Sequence, residues 1–82
     1  MYEIVFSDTA KKQLSKLERN IQERIINALE RIRIRPELFV KRLLGDPGFR
    51  LRVGDYRVII DIEKEKLLLI IIEIGHRSTI YK

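Results

Sequence analysis

Gly54 and Asp55 stand between two runs in which apolar and basic residues alternate, Phe49-Arg50-Leu51-Arg52-Val53 before them and Tyr56-Arg57-Val58-Ile59-Ile60-Asp61-Ile62 after them. A Gly-Asp insert between alternating segments marks a tight hairpin whose turn needs positive φ. That fixes the pairing, with Val53 opposite Tyr56 and Arg52 opposite Arg57. Successive side chains of a strand point to opposite faces. Phe49, Leu51 and Val53 therefore share one face with Tyr56, Val58, Ile60 and Ile62, while Arg50, Arg52 and Arg57 share the other.

Like charges directly opposite each other on a sheet are unfavourable, by an amount comparable to the ~0.2–1 kcal/mol that good cross-strand pairs gain. A solvated surface accounts for one such arginine, but not for the cluster. The natural counter-ion is an anion arriving from outside, and guanidinium forks match phosphate with two-pronged hydrogen bonds.

The rest of the chain is short. Its 82 residues are expected to form one small domain over 1–82, with 45% hydrophobic residues supplying enough apolar area to offset chain entropy despite 35% charged ones. A formal net charge of +5 points to a polyanionic partner, nucleic acid or an acidic protein segment. The chain has no cysteine and a single histidine, which excludes a disulfide framework and a thiolate or all-histidine metal site. No cofactor is expected. The first residues do not read as a secretory leader, and the longest aliphatic run, 67–72, is too short to span a bilayer. No membrane role and a cytoplasmic location are expected.

In chain order, 2–6 alternates as a first strand with Tyr2, Ile4 and Phe6 on one face. Ser7 or Asp8 caps a helix burying Ala10, Leu14 and Leu17 and showing Lys11, Lys12 and Lys16 to solvent. Asn20 with Glu23 reads as a capping box for a second helix, whose stripe is Ile21, Ile25, Ala28, Leu29 and Ile32 and which Pro36 ends. The two form a hairpin on the sheet. The tract 36–44 is a connector that can include a helical turn, and Gly45, Pro47 and Gly48 re-aim the chain. If 64–66 is the last loop, Ile62 meets Leu68, Ile60 meets Ile70, Val58 meets Ile72, and Glu73 lands opposite Arg57. Leu67, Leu69 and Ile71 then lie beside Ile59 on the face opposite the helices. A strand apolar on both faces is an interior strand covered twice. The pairing of the first strand stays open. The expected class is α+β, a twisted, largely antiparallel sheet with an N-terminal helix pair on one face, in the order β-α-α-β-β-β.

Strand, helix pair, the run Leu43-Leu44-Gly45-Asp46-Pro47-Gly48-Phe49-Arg50-Leu51-Arg52-Val53-Gly54-Asp55-Tyr56-Arg57-Val58, and Gly75-His76-Arg77 with Tyr81 following together resemble the RelE family of toxins from type II toxin-antitoxin modules. The resemblance covers the whole chain. It implies a ribosome-dependent, metal-independent mRNA endonuclease that inhibits translation and is neutralised in a heterocomplex by a cognate antitoxin, the free toxin being a monomer. It implies attack of the 2′-hydroxyl on the adjacent phosphate, giving a cyclic phosphate and a 5′-hydroxyl. On the family's pattern Arg50 and Arg52 occupy the two basic strand positions, Arg57 the following arginine, Arg77 the C-terminal arginine and Tyr81 the base-stacking tyrosine. The alternatives are a ParE-like inhibitor of DNA gyrase on the same fold, and a degenerate relative that only binds RNA or antitoxin.

The family often carries lysine where this chain has Arg50 and Arg52, and an arginine does not give up its proton. The base is thus to be sought elsewhere. His76 belongs to the one residue type that ordinarily titrates near neutrality, and Glu73 is a second option. Tyr56 is expected in the core. Ile59, Leu67, Leu69 and Ile71 form the expected antitoxin-binding stripe, since an exposed aliphatic patch commonly marks an interface.

Overall fold

The computed structural model describes residues 1–42 and 48–80. In chain order it contains β1 (Glu3–Phe6), α1 (Asp8–Ser15), α2 (Arg19–Ile32), a 3-10 turn (Pro36–Leu38), β2 (Lys41–Arg42), β3 (Phe49–Val53), β4 (Tyr56–Glu63), β5 (Leu68–His76) and α3 (Arg77–Ile80). The strands form one sheet in the order β1-β5-β4-β3-β2. β1 runs parallel to β5, with Glu3 beside Leu68 and Val5 beside Ile70; every other pair is antiparallel. The first strand thus pairs with the last, and the short β2 adds an edge beyond the expected order. The α+β class and the interior position of the aliphatic strand both hold.

The core lies between the helix pair and one face of the sheet. Ala10, Ile25, Leu29 and Ile32 from the helices meet Leu51, Val58, Ile60, Leu69, Ile71 and Ile74 from the strands, all buried, with Tyr2 closing one end. Tyr56 packs at the border of this core. The helix stripes read from spacing are the ones that pack. α2 begins at Arg19 with Glu18 as cap and no side-chain cap bond, so Asn20 sits inside the first turn rather than capping it. The Gln22 amide instead closes the other side of the junction, donating to the Leu14 and Leu17 carbonyls at the end of α1 at 2.9 and 3.0 Å. The Leu14 carbonyl also accepts the Leu17 N–H at 3.1 Å. α2 ends at Ile32, and Arg35 has left the helical region at φ −138° and ψ 77°, as a residue before proline tends to.

The β3–β4 hairpin has the expected register, Val53 opposite Tyr56 and Arg52 opposite Arg57. Gly54 has φ +60° and Asp55 does not share the positive sign, the pattern of a type II′ turn with glycine first.

The β4–β5 register departs from expectation. Glu63 meets Leu68, Ile62 meets Leu69 and Ile60 meets Ile71, so the loop holds four residues, with Leu67 in it at φ +53°. Ile59 then meets Glu73, so Ile72 is an extra residue in β5, a bulge. Strict alternation from Leu69 and Ile71 would drive Glu73 into the core; the inserted residue turns Glu73 out and sends Ile74 in. Three consequences correct the sequence reading. Leu69 and Ile71 are core residues, each 0% exposed, instead of members of an outer stripe. Leu67 lies in the turn. Glu73 stands opposite Ile59, and Gly75 takes the place opposite Arg57.

The bulge is held from the side. The Ser7 N–H and hydroxyl donate to the Ile71 and Ile72 carbonyls at 2.9 and 2.8 Å, while the same hydroxyl accepts the Ala10 N–H as the cap of α1. Beyond it the Ile74 N–H donates to the Gln13 side-chain carbonyl at 2.6 Å. Backbone groups past the end of β1 are thereby satisfied by α1 instead of by a strand.

Candidate functional site

The sheet face turned away from the helices carries a concavity of about 150 Å³ lined by Phe39, Lys41, Arg50, Arg52 and Arg57. Three strands build it. Lys41 of β2 pairs with Arg50 of β3, and Arg52 of β3 pairs with Arg57 of β4. Directly opposite residues lie on one face, so the pairing alone gathers four cations. Among the described residues the lining has no carboxylate. The three arginines named from the sequence are thus brought together.

Their settings differ. Arg57 is only 8% exposed and donates to the Tyr56 carbonyl at 3.3 Å. Arg50 is half-buried, and Arg52 is exposed, with Nε donating to the Gly54 carbonyl at 3.3 Å. Burial narrows the rotamers open to a long side chain, so Arg57 presents its guanidinium from a packed stem. Its facing residue on β5, Gly75, adds no side chain that would fill the space above it.

His76 is placed elsewhere. It pairs with Tyr56, and their rings meet edge to face with centroids 5.5 Å apart. That is the helix-facing side of the sheet, the side of Val58 and Ile74. Its Nδ1 lies 3.2 Å from the Ser78 backbone N–H and 2.9 Å from the Ser78 hydroxyl. A backbone N–H can only donate, so Nδ1 accepts and the neutral ring carries its proton on Nε2. The lone pair that a general base would use is engaged at the start of α3.

Arg77 opens α3 with its side chain exposed, and its backbone N–H donates to the Asp55 carbonyl at 2.9 Å beside the Gly54 turn. It does not line the concavity. Tyr81 lies outside the described residues. Ile59 does lie on the arginine face, half-buried, and Leu67 is exposed at the loop.

Phe39 and Lys41 belong to the site but were not singled out in the sequence. Nothing in the sequence marks them: Phe39 closes the 3-10 turn in a helical conformation at φ −116° and ψ −11°, and Lys41 begins a strand of two residues. Among the described residues no group of His, Asp or Glu is arranged to hold a metal ion, and no helix is long and apolar enough to cross a membrane.

The family model for the ParE toxin of the type II toxin-antitoxin system, parDE, matches residues 4–81. Solved structures with the same fold include the E. coli RelBE toxin-antitoxin complex, at 26% identity and TM-score 0.80 over 93% of this chain and 96% of that one. The Mycobacterium tuberculosis RelBE2 complex matches at 28% identity and TM-score 0.82, over 93% and 98%. The RelB-RelE complex of Methanococcus jannaschii matches at 27% and 0.74, over 94% of each chain. The comparison with curated proteins gave no match.

Proposed function

The chain belongs to the ParE toxin family of type II toxin-antitoxin systems, within the RelE/ParE superfamily, and from that premise we propose that it is a cytoplasmic toxin that cuts messenger RNA on the ribosome without a metal ion. The observation that carries this reading is the concavity in which Lys41, Arg50, Arg52 and Arg57 converge on one face of the sheet. A phosphodiester is the ligand such a site fits.

In the proposed reaction the 2′-oxygen attacks the adjacent phosphorus as its proton leaves to solvent, and the P–O5′ bond breaks to give a 2′,3′-cyclic phosphate. Arg50, Arg52 and Arg57 bind the non-bridging oxygens and stabilise the charge that builds there, the largest catalytic term in many enzymes. The 5′-oxygen takes a proton as it departs. Lys41 is the donor, since an ammonium gives up a proton far more readily than a guanidinium. Arg77, beside the hairpin turn, contacts the RNA outside the concavity, and Tyr81 is kept as the base-stacking residue that the family's pattern assigns.

A cognate antitoxin neutralises the toxin in this reading, as the relatives solved as RelBE complexes support. Its surface includes Ile59 with Val5 and Ile70, which lie on the sheet face away from the helices, and exposed Leu67.

The ParE model match favours a second reading, a gyrase inhibitor that uses the cationic face to bind its target. The deciding experiment adds the purified protein to ribosomes programmed with a defined mRNA. The proposal expects cleavage within the A-site codon and fragments ending in a cyclic phosphate and a 5′-hydroxyl. Intact mRNA together with loss of gyrase supercoiling activity would establish the second reading instead.

The placement of His76 yields a further expectation. His76→Ala should lower single-turnover cleavage by less than about tenfold, below the ~10²–10⁴ that loss of a general acid or base costs, with its pH profile unchanged. A larger loss with a shifted profile would mean that the ring turns toward the RNA and serves as the base after all.

A further inference from the structure

We infer that Phe39 is a stacking platform for an unpaired base of the RNA strand whose phosphate the cationic concavity holds. The inference rests on the reading of that concavity as the RNA site.

Phe39 lines the concavity together with Lys41 and the three arginines and is 48% exposed. A half-exposed aromatic ring beside four cations offers a flat apolar face next to groups that attract a phosphate. A nucleotide meets both. A protein partner seated on Phe39 would have to strip water from Lys41 and Arg52, both exposed, which costs more than a contact made by a phosphate that brings its own charge. The exposed Ile34 and Leu38 nearby in sequence do not line the concavity, so an apolar contact there leaves Phe39 to the RNA.

The support for the ring is rigid. Pro36 is fully buried, and the 3-10 turn closes by the Leu38 N–H donating to the Arg35 carbonyl at 3.2 Å and the Phe39 N–H to the Pro36 carbonyl at 3.0 Å. Phe39 follows that anchored turn directly and precedes Lys41 by two residues. Base and phosphate contacts thus come from adjacent positions of one short segment, which limits the ordering that binding must impose.

The test uses programmed ribosomes and the whole protein, with Phe39 variants whose folding is checked by circular dichroism. Phe39→Ala and Phe39→Leu should each lower kcat/KM for cleavage by on the order of 10–100-fold, while Phe39→Tyr stays within a few-fold of the parent. An mRNA with an abasic nucleotide beside the scissile phosphate should be cleaved equally by the parent and by Phe39→Ala. Cleavage by Phe39→Leu at the parental rate would overturn the inference and leave the nuclease reading standing. So would unchanged cleavage with weakened antitoxin binding, which would assign the ring to the protein interface. Absence of cleavage by the parent protein would remove the nuclease reading and this inference together.

Discussion

Arg57→Ala should lower single-turnover mRNA cleavage by on the order of 10²–10³-fold, the loss seen when one preorganised donor is removed from a developing oxyanion. Arg57 is the candidate for the largest effect because it is the most buried of the cationic side chains and already held on the Tyr56 carbonyl. Its guanidinium need not be reorganised as charge builds. Like-charge repulsion from Arg52 argues that the variant gains stability, but at 8% exposure the arginine stem also packs, and its removal offsets that gain. Arg57→Lys separates charge from geometry: it should remain at least about tenfold below the parent, since an ammonium cannot supply the two-pronged fork. Full activity in a folded Arg57→Ala protein would sink the assignment of this face as the catalytic one.

Leu69→Ala should cost about 2–5 kcal/mol of stability, as truncation of a fully buried leucine does, and lower the melting temperature by roughly 8–40 °C in a domain of this size. Leu69 of β5 is 0% exposed and belongs to the core between the sheet and the helix pair. The same substitution on an outer, partner-binding stripe would leave the melting temperature nearly unchanged and weaken antitoxin binding. Thermal denaturation of the free protein therefore decides between the two registers of the last hairpin. A change of under about 3 °C would contradict the register described above.

Much of the fold was legible because local chemistry decides it. Gly54 with its flanking alternation determines the β3–β4 pairing, and that pairing alone places Arg50, Arg52 and Arg57 on one face. The stripe Ile25, Leu29, Ile32 says which side of α2 is buried. The last hairpin was misread for a different reason. The run 67–72 is aliphatic at every position, so sliding it by one residue changes no local preference. What settles it lies far away: Gly75 has no side chain, Ser7 holds Ile71 and Ile72, and Gln13 holds Ile74. The choice of β5 as partner of β1 is likewise a tertiary matter. In the site, the arginines could be read from alternation, whereas Lys41 enters through β2, a strand of two residues that periodicity cannot detect, and Phe39 through the end of the 3-10 turn before it. His76 was assigned from its residue type, and only the Tyr56 pairing and the Ser78 contacts place it on the other side of the sheet.

The parallel pairing of β1 with β5 has a bearing on how the protein comes into being. A ribosome emits the chain N-terminus first, at about 5–20 residues per second, so β1 and both helices appear while their floor is still unmade. The Ser7 hydroxyl waits for a carbonyl 65 residues downstream. Ile25, Leu29 and Ile32 stay wet until Leu69, Ile71 and Ile74 are delivered. The arginine hairpin emerges before β5 too, and without that strand β2, β3 and β4 are cut off from β1. A half-made copy, however complete its set of Arg50, Arg52 and Arg57, thus has a paired hairpin but no core beneath it to hold that hairpin against the helices. Competence arrives late and all at once, when the last strand slots between the first and the fourth.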